Sequence, residues 1–118
     1  MTYRGATVGA DLRAGSSAAI ALSKTHGSSR YLINVTEATL SVAAIELFNL
    51  PVKQFLAEHV DRASRLAVLL PATAKERDLV AFFETVCLNY GWLVQLFEDR
   101  GEAHRWLRGE AATPPATA

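Results

Sequence analysis

Arg65-Leu-Ala-Val-Leu-Leu-Pro71, the run from Lys75 to Tyr90, Gly91, Trp92-Leu-Val-Gln-Leu-Phe97 and Asp99-Arg-Gly-Glu-Ala-His-Arg-Trp-Leu107 together decide the fold. Leu66 to Leu70 is a short apolar run closed by proline, as expected of a strand covered on both faces. From Lys75 the period changes. Leu79, Phe82, Phe83, Val86, Cys87 and Tyr90 recur at three- and four-residue intervals and fall on one stripe of a helix. Gly91 then supplies a residue that ends helices in the left-handed conformation. Trp92 to Phe97 reads as the next strand, and Asp99 with Glu102 has the spacing of a capping box opening a last helix. Two strands joined by a helix should lie parallel.

On the N-terminal side, Thr2 to Val8 has β-propensity and ends at Gly9. Ala10 to Thr25 reads as a helix, starting at Ala10 or only at Ser17, and stopped by Gly27. Gly15 within it costs about 1 kcal/mol relative to alanine. Arg30-Tyr-Leu-Ile-Asn-Val35 is a strand, and Thr36-Glu-Ala-Thr-Leu-Ser41 reads as a polar turn at its carboxyl end. Thr39 or Ser41 can cap a helix carrying Val42, Ile45 and Phe48. Pro51 interrupts it and fits the first turn of a second stripe, Val52, Phe55, Leu56, His59 and Val60. The order βαβα(α)βαβα predicts an α/β domain with a mostly parallel four-stranded sheet over residues 1–108. Residues 109–118, Gly-Glu-Ala-Ala-Thr-Pro-Pro-Ala-Thr-Ala, hold no bulky apolar side chain and are expected to be a disordered tail.

Composition narrows the function. With 118 residues the chain makes one domain. Twelve basic and twelve acidic residues give zero formal charge, so nothing favours nucleic acid or an anionic membrane through long-range attraction, and little opposes self-association. No run approaches the ~20 apolar residues of a membrane span, and no secretory signal opens the chain. The expected location is the cytoplasm. The single cysteine, Cys87, sits in an apolar stripe and reads as a small buried hydrophobe.

Tyr31-Leu-Ile-Asn-Val-Thr-Glu-Ala-Thr-Leu-Ser41, Arg65–Pro71, and Phe82 to Asp99 with Ala103 and Trp106-Leu107 resemble small bacterial proteins of the STAS-like, SpoIIAA-like fold. That group is related in shape to the CRAL-TRIO lipid-transfer domains. The resemblance implies a regulatory, protein-binding domain and a sheet of four strands, or five where a further strand precedes the first helix. In the anti-sigma-factor antagonists of this fold, an Asp-Ser-Ser/Thr-Gly type motif at a helix start is phosphorylated by a partner kinase. The comparable region here, Thr39-Leu-Ser-Val-Ala-Ala-Ile45, has Ser41 and Thr39 but neither the aspartate nor the glycine. Ser41 and Thr39 are thus the candidate phospho-switch residues, weighed against a simple capping role.

Other chemistry is sparse. His26, His59 and His104 lie on three different helices without metal-ligand spacing, and no HExxH, P-loop, GxSxG or GxGxxG pattern occurs. No metal or cofactor is expected. Asn34, Thr36, Glu37, Thr73, Glu98 and Asp99 fall near predicted strand ends, the edge where open α/β sheets bind ligands. Phe82, Phe83, Trp92, Phe97 and Trp106 read as core, though they are the residues that would line an apolar ligand pocket. The leading expectation is a non-enzymatic module with a protein partner, forming a homodimer. The alternative is a carrier of a small hydrophobic ligand or lipid, which needs a cavity of roughly 300 Å³ or more.

Overall fold

Strands and helices alternate through residues 1–109, the part of the chain that this computed structural model describes. The order is β1 (Thr2–Val8), α1 (Gly9–His26), β2 (Arg30–Ser41), α2 (Ala44–Asn49), a π-helical turn (Leu50–Gln54), α3 (Phe55–Ala57), β3 (Arg65–Leu69), α4 (Ala74–Asn89), β4 (Leu93–Phe97) and α5 (Arg100–Leu107). The four strands form one all-parallel sheet in the order β1-β2-β3-β4. The α/β architecture read from the alternation is the one observed. The tail assigned to 109–118 lies, beyond Gly109, outside the described residues.

The sheet has two unequal faces. Tyr31, Val35, Leu66, Val68 and Val94 meet Leu12 and Ile20 of α1, Leu47 of α2, Leu50 and Phe55, and Val80, Phe83 and Cys87 of α4 in the main core. The intervening strand positions point the other way, so Ala67 and Leu69 pack against Ala103 and Leu107 of α5, flanked by Leu32, Phe97 and Trp106. β3 is therefore buried on both faces, as its unbroken apolar run predicts. Arg65 Nη1 donates to Trp106 O at 2.6 Å and its guanidinium lies over the Trp106 ring, holding the end of α5 to β3.

Several boundaries differ from the sequence reading. Helix α1 starts at Gly9, not Ser17, and runs through Gly15, where the ring of Tyr3 occupies the space that a side chain would need. Residues 36–41 are not a turn. They continue β2, pairing with β1 from Arg4↔Glu37 to Val8↔Ser41 after a register shift. The helix after β2 buries Leu47 and Leu50, whereas Ile45 is 60% exposed. Its N-cap is Ala43, not Thr39 or Ser41. Pro51 does not interrupt the helix: α2 runs directly into the π turn, which carries Pro51 as its second residue and leads on to Phe55.

Trp92 closes the end of the core. It is 1% exposed, donates from Nε1 to Pro51 O at 3.0 Å, meets Phe55 edge-on and lies under the Arg62 guanidinium. Phe82, assigned to the interior, is 38% exposed, and Tyr90 lies at the surface with its ring edge-on to Phe48.

Candidate functional site

Of the residues expected at the strand-end edge, not all lie at strand ends. Asn34 pairs with Leu69, the last residue of β3, but β2 continues seven residues further, roughly 23 Å at the usual strand rise. Thr36 and Glu37 are thus inside β2. Asn34 is buried, and its Oδ1 accepts from the N–H and hydroxyl of Thr36 at 3.0 and 2.7 Å. Thr73 caps α4 and Asp99 caps α5, each accepting from a backbone N–H three residues on. Glu98 reaches Arg77 at 3.4 Å on the surface.

Helix starts at this edge are occupied by the chain's own carboxylates. Val8 N–H donates to Asp11 Oδ2 at 2.9 Å, and Ala43 N–H to Glu46 Oε1 at 2.9 Å. At α4 the Thr73 hydroxyl donates to Glu76 Oε1 at 2.8 Å, and at α5 Asp99 accepts from Glu102 N–H at 3.1 Å. Their negative charge lies in the first turn, where the helix dipole would otherwise favour an external anion. Glu46 also pairs with Arg13 at 3.6 Å and lies so close to Gly9 that a Cβ there would collide with it.

Glu76 is the residue that sequence reasoning missed. It is buried, and its Oε2 accepts the Leu40 N–H at 2.6 Å, serving the stretch of β2 that extends past the end of β3. Its signal was present, because Thr73-Ala-Lys-Glu76 has the spacing of a capping box.

Ser41 and Thr39 both lie exposed on β2, facing away from the main core with Glu37. Their register partners on β1 are Val8, Ala6 and Arg4, all exposed, and Arg4 Nε meets Glu37 at 3.4 Å. Helix α5 covers the other half of this face, so β1 and the carboxyl half of β2 form an open ribbon. Ser41 precedes the N-cap of α2, and the N–H beyond it is taken by Glu46.

Two spaces lie among the helices. Between the sheet and α1, α2 and α4 is an apolar cavity of about 70 Å³, touched by Tyr3, Leu12, Tyr31, Leu47, Val68 and Phe83. Between α1 and the π turn runs a groove of about 460 Å³ whose lining mixes Arg13 and Lys53 with Glu46 and Glu58. At its floor Gln54 Nε2 donates to Arg13 O, Ser17 Oγ and Glu58 Oε2, while Gln54 Oε1 is buried without a partner among the described residues.

His26, His59 and His104 sit at the end of α1, after α3 and within α5. Among the described residues no group of three or more His, Cys, Asp and Glu could hold a metal ion. Cys87 is fully buried, and that burial, with the nearby Glu84 charge, pushes its thiol well above the ordinary range. No described helix is long and apolar enough to cross a membrane. Comparison of this chain with protein-family models, with curated proteins and with solved structures returned no match.

Proposed function

We propose that this chain is a non-enzymatic, cytoplasmic regulatory module of STAS-like type, which works by docking a protein partner on the open ribbon of β1 and β2. The observation that carries this reading is that ribbon: Arg4, Ala6 and Val8 beside Glu37, Thr39 and Ser41, on backbone fixed by parallel pairing and uncovered by any described helix. One opposite-charge pair, two hydroxyls and two apolar side chains suit a polar protein surface better than a lipid. Two further features support it. Helices α1, α2, α4 and α5 each carry an acidic side chain in the first turn, whose charge disfavours an anionic small molecule. The apolar cavity of about 70 Å³ is also far below the roughly 300 Å³ that a hydrophobic ligand needs, which disfavours a lipid carrier.

Thr39 and Ser41 are the hydroxyls a kinase could reach on this ribbon. A phosphate on Ser41 would add negative charge close in sequence to Glu46, so it would oppose an acidic partner rather than stabilise α2. The test is recovery of tagged protein from native cells, comparing wild type with the double variant Arg4→Glu, Thr39→Lys. The expected result is a stoichiometric protein partner retained by wild type and lost from the variant. Equal recovery by both would overturn the reading.

A further inference from the structure

The two outer edges of the sheet are built differently. β1 carries Arg4, a left-handed Gly5 (φ +66°) and a register shift between Thr2 and Arg4, all features that discourage an edge from pairing with another strand. β4 has none of them. It reads Leu93-Val-Gln-Leu-Phe97, without charge, proline or glycine, and its pairing with β3 is regular throughout. Leu93 is 45% exposed and Gln95 is also exposed.

Backbone directions on β4 follow from one bond. Phe97 C=O accepts the Leu70 N–H at 2.9 Å, so Phe97 faces β3, and with it, two and four residues back, Gln95 and Leu93. The N–H and C=O groups of Val94 and Leu96 then point outward, away from the sheet. They are main-chain donors and acceptors at an uncharged edge with no further strand beside it among the described residues.

From this geometry we infer that β4 is the contact for a second copy of this chain, the two β4 strands pairing antiparallel about a two-fold axis at Gln95. The sequence is matched to itself about that residue. Val94 falls opposite the partner's Leu96, and each such pair exchanges two main-chain hydrogen bonds through the outward groups. Gln95 meets the partner's Gln95, where one amide can donate to the other. Leu93 meets the partner's Phe97, which covers the exposed leucine with an aromatic ring. An isologous contact needs this kind of self-complementarity, which an unrelated strand would match only by chance. Zero net charge leaves little repulsion to overcome. Two four-stranded sheets become one continuous sheet, with the open β1–β2 ribbons at its far ends. This contact is separate from the docking surface proposed above.

Sedimentation velocity of the full chain at tens of micromolar tests it. The wild type is expected to be a dimer. Gln95→Lys and Gln95→Glu place like charges opposite each other and should each weaken self-association at least about tenfold, while their equimolar mixture dimerises again. Gln95→Cys should form an intermolecular disulfide on mild oxidation, since non-hydrogen-bonded antiparallel positions bring side chains closest and Cys87 is buried. Circular dichroism establishes that each variant is folded. A monomeric wild type, or Gln95→Lys and Gln95→Glu variants that dimerise like it, would overturn the inference. So would a Gln95→Cys chain that does not cross-link. Partner recovery by Gln95→Lys separates the two proposals, because loss of the dimer should leave the β1–β2 ribbon competent.

Discussion

The Glu76 carboxylate accepts the main-chain N–H of Leu40 at 2.6 Å, and so takes the place of a neighbouring strand. β3 ends at Leu69, opposite Asn34, while β2 goes on to Ser41 with β1 on one side only. The first turn of α4 provides the missing acceptor on the other side.

Removing that acceptor should be costly. Glu76→Ala leaves the Leu40 N–H buried and unpaired, and is expected to lower unfolding free energy by about 2–3 kcal/mol. Glu76→Gln keeps a carbonyl oxygen within reach and should cost about half as much. Urea unfolding monitored at Trp92 and Trp106 measures both. Equal losses in the two variants would mean that the hydrogen bond contributes little.

Gly15 should resist replacement by alanine. Helix propensity alone favours Gly15→Ala by about 1 kcal/mol. A Cβ at Gly15, however, would lie 2.7 Å from Tyr3 Cζ and closer still to the phenol oxygen, and a ring cannot bend away. The expected outcome is a net loss of about 1–2 kcal/mol, the usual scale of overpacking. A gain in melting temperature would show that Tyr3 moves freely.

Cys87 should be inert in the folded protein and should make stability fall at alkaline pH. Burial first, and the Glu84 charge second, raise its pKa from an ordinary 9.0. The folded chain therefore keeps the proton that the unfolded chain releases near pH 9. Its contribution is full below that value and declines as pH rises through it. Tyr3, raised from 10.0 mainly by burial, extends the decline. Thiol labelling of native protein should proceed only through unfolding, and Cys87→Ala should flatten the loss of stability between about pH 8.5 and 10.

Thr39→Glu and Ser41→Glu should leave the fold intact. Both side chains are exposed on the open ribbon, so each change should alter stability by less than about 0.5 kcal/mol. Unfolding curves for the two variants check this. A loss of several kcal/mol would show that the ribbon is covered in the native protein.

Much of the fold was legible because covered strands have little choice of composition. Leu66 to Leu69 must be apolar on both faces, and Asp99 with Glu102 announces α5 directly. The carboxyl half of β2 misled for the opposite reason. Its outer residues Glu37, Thr39 and Ser41 remain in solvent, so the segment reads as a polar turn although Ala38 and Leu40 alternate with them. In the helix that follows, the stripe read before Pro51 is Val42, Ile45 and Phe48, whereas α2 and the π turn bury Leu47 and Leu50 and leave Ile45 exposed. Thr36 and Glu37 read as lying just after a strand end because β2 looks as short as β3, whereas β2 overshoots β3. Glu76 was overlooked because a charged residue beside Lys75 and Arg77 looks like solvent-facing surface.

The strand order β1-β2-β3-β4 has a consequence for synthesis. Every strand pairs with the one made just before it, across a helical crossover, so no strand must wait for one made two steps later. As the chain leaves the ribosome, each new strand–helix pair can add to a finished neighbour. Among the described residues it is α5, made after all four strands, that packs on Ala67 and Leu69, so a nascent chain stalled before Arg100 would present those two residues to chaperones.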